Sequence, residues 1–542
     1  MQPVDVKKPK PVEAPNPWDH RTQLNSEIAT WTPTLTSWDN DIQPGFEINR
    51  GRARDLALTN PHVLSAVETQ RDAVIGRRFT LVLMPDADYL GVSEDEADEW
   101  AGLVEAEWRR YAEGMTFDID ATRKATWTGI CHQAQYGLHV DGEALATVEA
   151  KDGPYGYQTC IQLIEPERLD ERNAQNIHGK DIRHGVERDR HGEPIAYYIR
   201  ESHPHDARWT KPGQMPKRVE RYGEYGRAKV VHVMDEPRPS MTRGVSSGML
   251  STLAPAKMLD VLGQTELSRN IMSASYAAVI ESELNYEQAF KLLGAGGVSA
   301  PNNLTAAAVE HIKSVAPYHQ KMGMRFNGAR ALHLLPGEKF NLVQSDMEGV
   351  QFEAFEKAFL KKIAAGLGVS YEELSRDYSG VSYAAARMSA ETAWRRYLRQ
   401  RSMFNAKFCM PIVSAWLEEA LLRKRVPMLG SKFKVTRRGY SLARYGLCRG
   451  EFISWGRPII DPVKETTGAH MRLALGLTTM RDESAASGDD YALVLRQRAR
   501  EVKERAKHGV LNANGVDPTL VIGGGKQGNP QEERRARSDG AG

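Results

Sequence analysis

Cysteine is scarce in this chain. Cys131, Cys160, Cys409 and Cys448 are the only four, they stand far apart, and no CxxC or CxxxH pairing joins them. That spacing argues against a zinc module and supplies no disulfide framework, which fits a reducing compartment. Long apolar runs are missing as well: no stretch approaches the roughly 18 apolar residues of a membrane-spanning helix. The opening residues, MQPVDVKKPKPVEAPNPWDH, lack the apolar centre of a signal peptide, so neither membrane insertion nor export is expected. Excess charge of either sign is also absent. Lys and Arg number 72 against 70 Asp and Glu, a formal net charge of +2, well short of the basic surplus of a tight nucleic-acid binder.

The chain has ample material for buried cores. Its 542 residues are 41% hydrophobic and 26% charged, which predicts several domains, and the helix and strand signals that follow give them an α+β class. Both ends read as disordered tails: residues 1–25 mix Pro with Lys, and residues 509–542 end in GGGKQGNPQEERRARSDGAG. Neither carries enough apolar surface to offset the entropy of ordering.

Between the tails, local signals alternate. Asn60 followed by Pro61 predicts a capped helix with Val63, Leu64, Val67 and Val74 on its buried stripe, stopped at Gly76. A strand is expected over Phe79 to Met84. Ser93 and Glu96 have capping-box spacing ahead of Trp100, Leu103, Val104, Trp108 and Tyr111. A helix near Arg123 to Tyr136 precedes strands at Glu143 to Val148, Ile161 to Ile164 and Lys229 to Met234, with a hairpin turning at Asp189 to Gly192.

From Gly244 the pattern becomes helical and long. Pro255 is expected to open a helix running to about Glu281, some 39 Å at about 1.5 Å per residue. A second helix over Glu348 to Leu367 would place Phe352, Phe355, Phe359, Leu360 and Ile363 on one face. Between them lies a smaller unit holding GAGG, a helix near Leu304 to Val315 and the strand-like ALHLLPGEKFNLV. A third helix carries Trp394, Tyr397, Leu398, Phe404, Phe408, Ile412, Val413, Trp416 and Leu417, with a kink expected at Pro411. The last folded segment starts where Asp461 caps and Pro462 begins a helix.

Candidate chemistry is thin. GVSSG, residues 244–248, matches the GxSxG nucleophile elbow with Ser246 as nucleophile, but PRPSMTR precedes it where a strand is required; a helix-capping turn is the simpler reading. GGGK at 523–526 lacks the spacing of a phosphate loop. HPHD, His203 to Asp206, has no second ligand pair and reads as a solvated loop. Arg395, Arg396 and Arg399 cluster on one helix, where a solvated or salt-bridged face competes with contact to phosphate.

The order TRGVSSGMLSTLAPAKMLD, AAVIESEL, LLPGEKFNLV, FEKAFLKKIAAGLGVSYEELSRDYSGVSYAAAR and IDPVKE resembles the lambda-type bacteriophage portal proteins over about residues 45–505. AAGLGVSYEELSRDYS is the most specific block. Ala384 and Ala385 stand where the family usually has serines. The resemblance implies a portal-type fold assembled as a dodecameric ring at one capsid vertex of the virion. There it would serve DNA packaging and ejection as the head-tail connector, a structural protein without catalysis, cofactor or metal; the alternative is a serine hydrolase built on Ser246. It implies a wing (26–243), stem helices (244–282 and 346–368), a clip (283–345), a tunnel loop (369–383), a kinked helix with the remainder of the wing (384–454) and a helical crown (455–508). The implied partners are double-stranded DNA passing without sequence specificity, terminase, capsid and scaffold proteins and a head-tail adaptor, with assembly in the host cytoplasm and no membrane. Ser375, Arg376, Asp377, Tyr378, Ser379, Gly380, Val381 and Ser382 become candidates to face DNA, and Arg395, Arg396 and Arg399 candidates to touch phosphate.

Overall fold

The computed structural model describes residues 35–42, 45–170, 180–206, 215–275, 279–280, 332–333, 349–456 and 461–507. The two tails and nearly all of the expected clip lie outside the described residues. So do GAGG, GGGK and the helix expected near Leu304 to Val315.

Side-chain caps set the first elements. Helices α1 (Trp38–Ile42), α2 (Phe46–Thr59) and α3 (Pro61–Val74) lead the chain. Asn60 ends α2 and starts α3, its side-chain oxygen accepting from the His62 and Val63 N–H groups, as Asn before Pro predicts. Strand β1 (Thr80–Leu83) and α4 (Ala87–Leu90) precede α5 (Glu94–Ala112), which opens on the expected Ser93/Glu96 capping box. Helix α6 (Trp127–Val140) follows, capped by Thr126.

The sheets built from β2 to β8 are antiparallel. β2 (Glu143–Ala150) and β3 (Thr159–Ile164) pair directly. β4 (Asp181–Arg183), β5 (Val186–Arg188), β6 (Pro194–Ile199) and β7 (Lys217–Glu220) form a meander that turns at Asp189 to Gly192 as predicted. β8 (Val230–Met234) returns to the free edge of β2, completing the order β3-β2-β8.

Two helices then leave this body, α7 (Ser247–Ser275) and α8 (Gly349–Leu367). They approach closely at Gly248 and Gly366, where a Cβ on Gly248 would lie 3.1 Å from the Gly366 carbonyl and one on Gly366 would lie 2.7 Å from Ser251 Oγ. A side chain at either position would crowd the facing helix. Between the helices, β9 (Val279–Ile280) pairs in parallel with β10 (Leu332–His333). Helix α9 (Tyr371–Ser375), helix α10 (Tyr383–Phe404), a π-helical turn (Asn405–Cys409) and α11 (Met410–Leu422) come next. Helix α12 (Arg437–Leu447) and β11 (Gly450–Ile453), which pairs with β1, bring the chain back. Helices α13 (Pro462–Ala474), α14 (Met480–Ala486) and α15 (Tyr491–Lys507) end the described chain, with Asp461 capping α13 as expected.

Two cores hold these elements. In the larger, Trp108 meets Trp127 and Trp416 edge to face at 5.3 and 5.0 Å, with Phe404, Phe408 and Phe452 buried around them. Each such ring contributes about 1.5–3 kcal/mol by leaving water, so residues 393–452 complete the core that residues 74–161 begin. The smaller core packs Leu56, Val63 and Val67 of α2 and α3 against Met249 and Leu259 of α7 and Leu360 and Ile363 of α8. It fixes both long helices to the body.

Several sequence expectations need correction. Helix α7 starts at Ser247, with Pro255 inside it, because Ser246 supplies the cap upstream; it ends at Ser275, and Val279–Ile280 are strand rather than helix. The segment 369–383 is not all loop: Ser370 and Glu373 form a capping box that starts α9. Ahead of Pro411, where a kink is expected, the helix takes a wide turn over Asn405–Cys409. The Met410 N–H bonds the Asn405 carbonyl, and this wide turn absorbs the missing proline donor at the start of α11. Phe355 is 49% exposed, and Leu64, Leu103 and Leu398 also face outward; an apolar residue on the predicted stripe is buried only if another element covers it.

Candidate functional site

The loop of interest is short. Helix α8 ends at Leu367, whose carbonyl accepts from Gln70 Nε2 at 2.6 Å, and Gly368 turns the chain in the left-handed region at φ +72°. After α9, Arg376 is also left-handed at φ 57°, and α10 restarts on its cap, Ser382, which accepts from the Ala385 N–H at 3.3 Å. Helices α9 and α10 are tied together behind the loop by Ser389 Oγ to Glu372 (3.0 Å) and Tyr397 OH to Glu373 (3.2 Å). The loop is therefore carried on braced helices.

Within it, the sequence candidates divide. Ser375 belongs to α9, donating to the Tyr371 carbonyl at 2.8 Å and accepting from the Asp377 N–H at 3.2 Å. Arg376 reaches back to α3, donating to Ser65 Oγ and Thr69 Oγ1 at 3.3 Å each. Asp377 accepts from the Ser379 hydroxyl (2.5 Å) and N–H (2.9 Å), and the hydroxyl bond chiefly holds its carboxyl below the usual range. Tyr378, Ser379 and Gly380 form the exposed tip, with Val381 half-buried. Gly380, at φ +75°, has open space where a Cβ would be.

The three clustered arginines do not share one fate. Arg395 is exposed and makes no ion pair among the described residues. Arg399 faces Asp235 at 3.4 Å. Arg396 turns inward: a Cβ on Gly368 would sit 1.2 Å from its Nη1, so the guanidinium lies on the turn that ends α8. Its Nε is buried without a hydrogen-bond partner.

Ser246 does the work of a cap. Its Oγ accepts from the Met249 N–H at 3.2 Å and donates to the His139 carbonyl at 2.5 Å. The hydroxyl proton is thus engaged by a backbone carbonyl, and the His139 ring contacts Gln135 instead, at 3.1 Å. No general base reaches this serine among the described residues, and the geometry gives the hydrolase alternative no support. His203 does come near Glu165 and Glu167 with spacing that could hold a cation. Glu167 is already held by Arg50 and Arg54 at 3.3 and 2.9 Å.

Sequence reasoning missed the strongest electrostatic feature. Glu143, at the start of β2 and fully buried, accepts from Arg50 (2.6 Å), Arg243 Nη2 (2.7 Å), His232 Nε2 (2.9 Å) and the Gly244 N–H (3.0 Å). Arg243 and Gly244 lie immediately before α7, so this carboxylate fixes the root of the long helix to α2, β2 and β8. The only signal available beforehand was the charged TRG at 242–244, which no local rule distinguishes from a solvated loop.

Known proteins match most of this chain. The family described as phage portal protein, lambda family, matches residues 25–401. The portal protein of Escherichia phage N15 is 33% identical over 521 residues, 95% of each chain. Portal protein B of Escherichia phage lambda is 33% identical over 493 residues, 90% of this chain and 89% of that one. Among solved structures, the neck of an empty GTA particle computed with C6 symmetry is similar over 84% of this chain and 95% of that chain, at 14% identity and a TM-score of 0.40. These sequence matches define a phage portal protein. The chain belongs to the lambda family of those proteins.

Proposed function

We propose that twelve copies of this chain form a ring-shaped conduit at a capsid vertex, through which double-stranded DNA enters during packaging and leaves on ejection. Terminase docks first and head-completion or tail proteins later, after assembly with capsid and scaffold proteins in the host cytoplasm. The wing is residues 26–243 with 384–454, the stem 244–282 and 346–368, the clip 283–345 and the crown 455–508. Family membership supports this reading, as do the exposed apolar residues Met258, Val261, Leu267 and Ile271 on α7, which suit contact with a second copy.

The observation that carries the role of the loop is its exposed tip, Tyr378, Ser379 and Gly380, on two braced helices. A ring repeats every lumen charge around its axis, so a cationic tip would hold phosphates through counterion release and stall the duplex. Here Arg376 is drawn back onto α3, and the tip is uncharged. The loop touches DNA without gripping it. Replacing residues 376–381 with a Gly/Ser segment of equal length tests this. It removes only exposed side-chain bonds, each worth under about 1 kcal/mol, so rings should persist by electron microscopy while packaging or genome retention falls with procapsids and motor. Wild-type packaging and retention would refute the loop's role; failure to form rings would make the loop structural.

A further inference from the structure

A cleft opens where α15 meets α5 and β1. Its larger chamber, about 790 Å3, is lined by Arg77, Arg78, Arg109 and Arg110, with Trp108 and Leu493 among the apolar wall. A second chamber of about 600 Å3 shares Arg77, Arg78 and Leu493 and continues to Trp455 and Arg498. Arg110 pairs with Glu107 at 2.6 Å, whereas Arg77, Arg78, Arg109 and Arg498 make no ion pair among the described residues. Elsewhere in the same body Arg50, Arg54, Arg188 and Arg218 each meet a carboxylate within 2.9 Å. In the far chamber Arg77, Arg78 and Arg498 face Asp489, Asp490 and Glu501, while the larger chamber collects guanidinium groups in excess of its carboxylates.

The acids in the lining do not cancel them in the larger chamber. Glu113, accepting from the N–H and hydroxyl of Thr128, is one carboxylate against four guanidiniums. Glu105, buried at the floor and accepting from the Leu83 N–H, is pushed up to about 7 by burial and carries only part of a charge at neutral pH. Asp490 is buried and caps α15 through the Ala492 N–H, while Asp489 and Glu501 are exposed at the far chamber.

We propose that this cleft binds the phosphate backbone of nucleic acid, on elements other than those that carry loop 376–382 and whether or not that loop meets DNA. Guanidinium forks match phosphate oxygens bidentately. Several guanidiniums spread over the larger chamber suit a chain of phosphates better than a single small anion, and the half-exposed Trp455 ring in the adjoining chamber offers a face on which a sugar or base can stack.

The test uses the full chain and a fluorescein-labelled 30-base-pair duplex, with anisotropy read between about 50 and 200 mM NaCl. R77Q/R78Q/R109Q removes three exposed cations and should reduce the slope of log Kobs against log salt by roughly 2–3, at about 0.9 per phosphate released. R77K/R78K/R109K, which keeps the charge, should keep the slope. The same reduction is expected when the Gln triple is placed in the loop-replaced chain, which separates failure of this site from failure of the loop's role. An unchanged slope in the Gln triple overturns the proposal, provided its melting temperature matches wild type; if the melt falls, the Lys triple decides, and loss of its slope overturns the proposal too. Displacement of the duplex by poly-glutamate at equal charge concentration would also overturn it, marking the cleft as a seat for an acidic peptide.

Discussion

Glu143→Gln should weaken this protein more than any single change on its surface. The carboxylate is fully buried, and the side chains of Arg50 and Arg243 beside it are 5% and 0% exposed. Both guanidiniums also lie over the Phe46 ring, at 4.4 and 5.1 Å. Neutralising the acid leaves Arg50 with Glu167 at 3.3 Å and Arg243 with the carbonyls of Pro166 (2.9 Å) and His184 (3.1 Å). Breaking a buried pair from one side costs about 3–5 kcal/mol, because the remaining charge stays out of water. At about 2–4 °C per kcal/mol for a domain of 150–250 residues, the melting temperature should drop by roughly 6–20 °C in scanning calorimetry at neutral pH. The pH dependence gives a second check. Burial by itself would raise the Glu143 pKa, but Arg243, Arg50 and His232 outweigh it and hold the group well below the ordinary value. A depressed folded pKa means the contribution is complete above the unfolded value of about 4.3 and is lost as pH falls below it. The gap between wild type and E143Q should therefore narrow between about pH 5 and pH 3. A drop under about 2 °C at neutral pH, or a gap that widens in acid, would refute the idea that this cluster anchors α7.

Three further outcomes are expected. Ser246→Ala should cost about 1 kcal/mol through the lost cap and leave any background hydrolysis of p-nitrophenyl acetate unchanged; loss of a robust activity would revive the nucleophile. Gly368→Ala should destabilise by about 1–2 kcal/mol for the left-handed backbone alone and further by displacing Arg396. Adding Arg396→Ala should recover part of that loss in thermal melts, and identical melts for the single and double variants would mean the guanidinium does not pack on that turn. Tyr397→Phe removes the hydroxyl bond to Glu373 from a phenol whose pKa burial, and then Glu373, push upward. It should cost about 1 kcal/mol and speed amide exchange over residues 371–382, and unchanged exchange would show that this bond does not brace the loop.

Features legible in the sequence are those whose physics is confined to a few neighbouring residues. A cap works by a side chain bonding an N–H two or three positions on, so Asn60 with Pro61, Ser93 with Glu96, and Asp461 with Pro462 announced helix starts that the fold keeps. SYEEL carries the same signal at Ser370 and Glu373, the capping box that starts α9 inside the expected loop. The portal family was legible too, because the AAGLGVSYEELSRDYS block keeps order and spacing. What no window of sequence contains is who covers whom. Phe355 and Phe359 share a helix, yet Phe355 is half exposed while Phe359 packs against the smaller core. Strands β1 and β11 pair although Thr80 and Ile453 stand at opposite ends of the folded body's sequence. Arg396 has the same local charge pattern as Arg395, but only Arg396 meets Gly368 across the turn. Glu143 stands 93 residues from Arg50, 89 from His232 and 100 from Arg243, and charge attraction has no period along a chain. The sequence by itself determined the helix starts, the mixed α and β class and the family; the tertiary structure alone decided which charges are buried together, because burial and pairing are properties of surfaces that exist only once the elements have met.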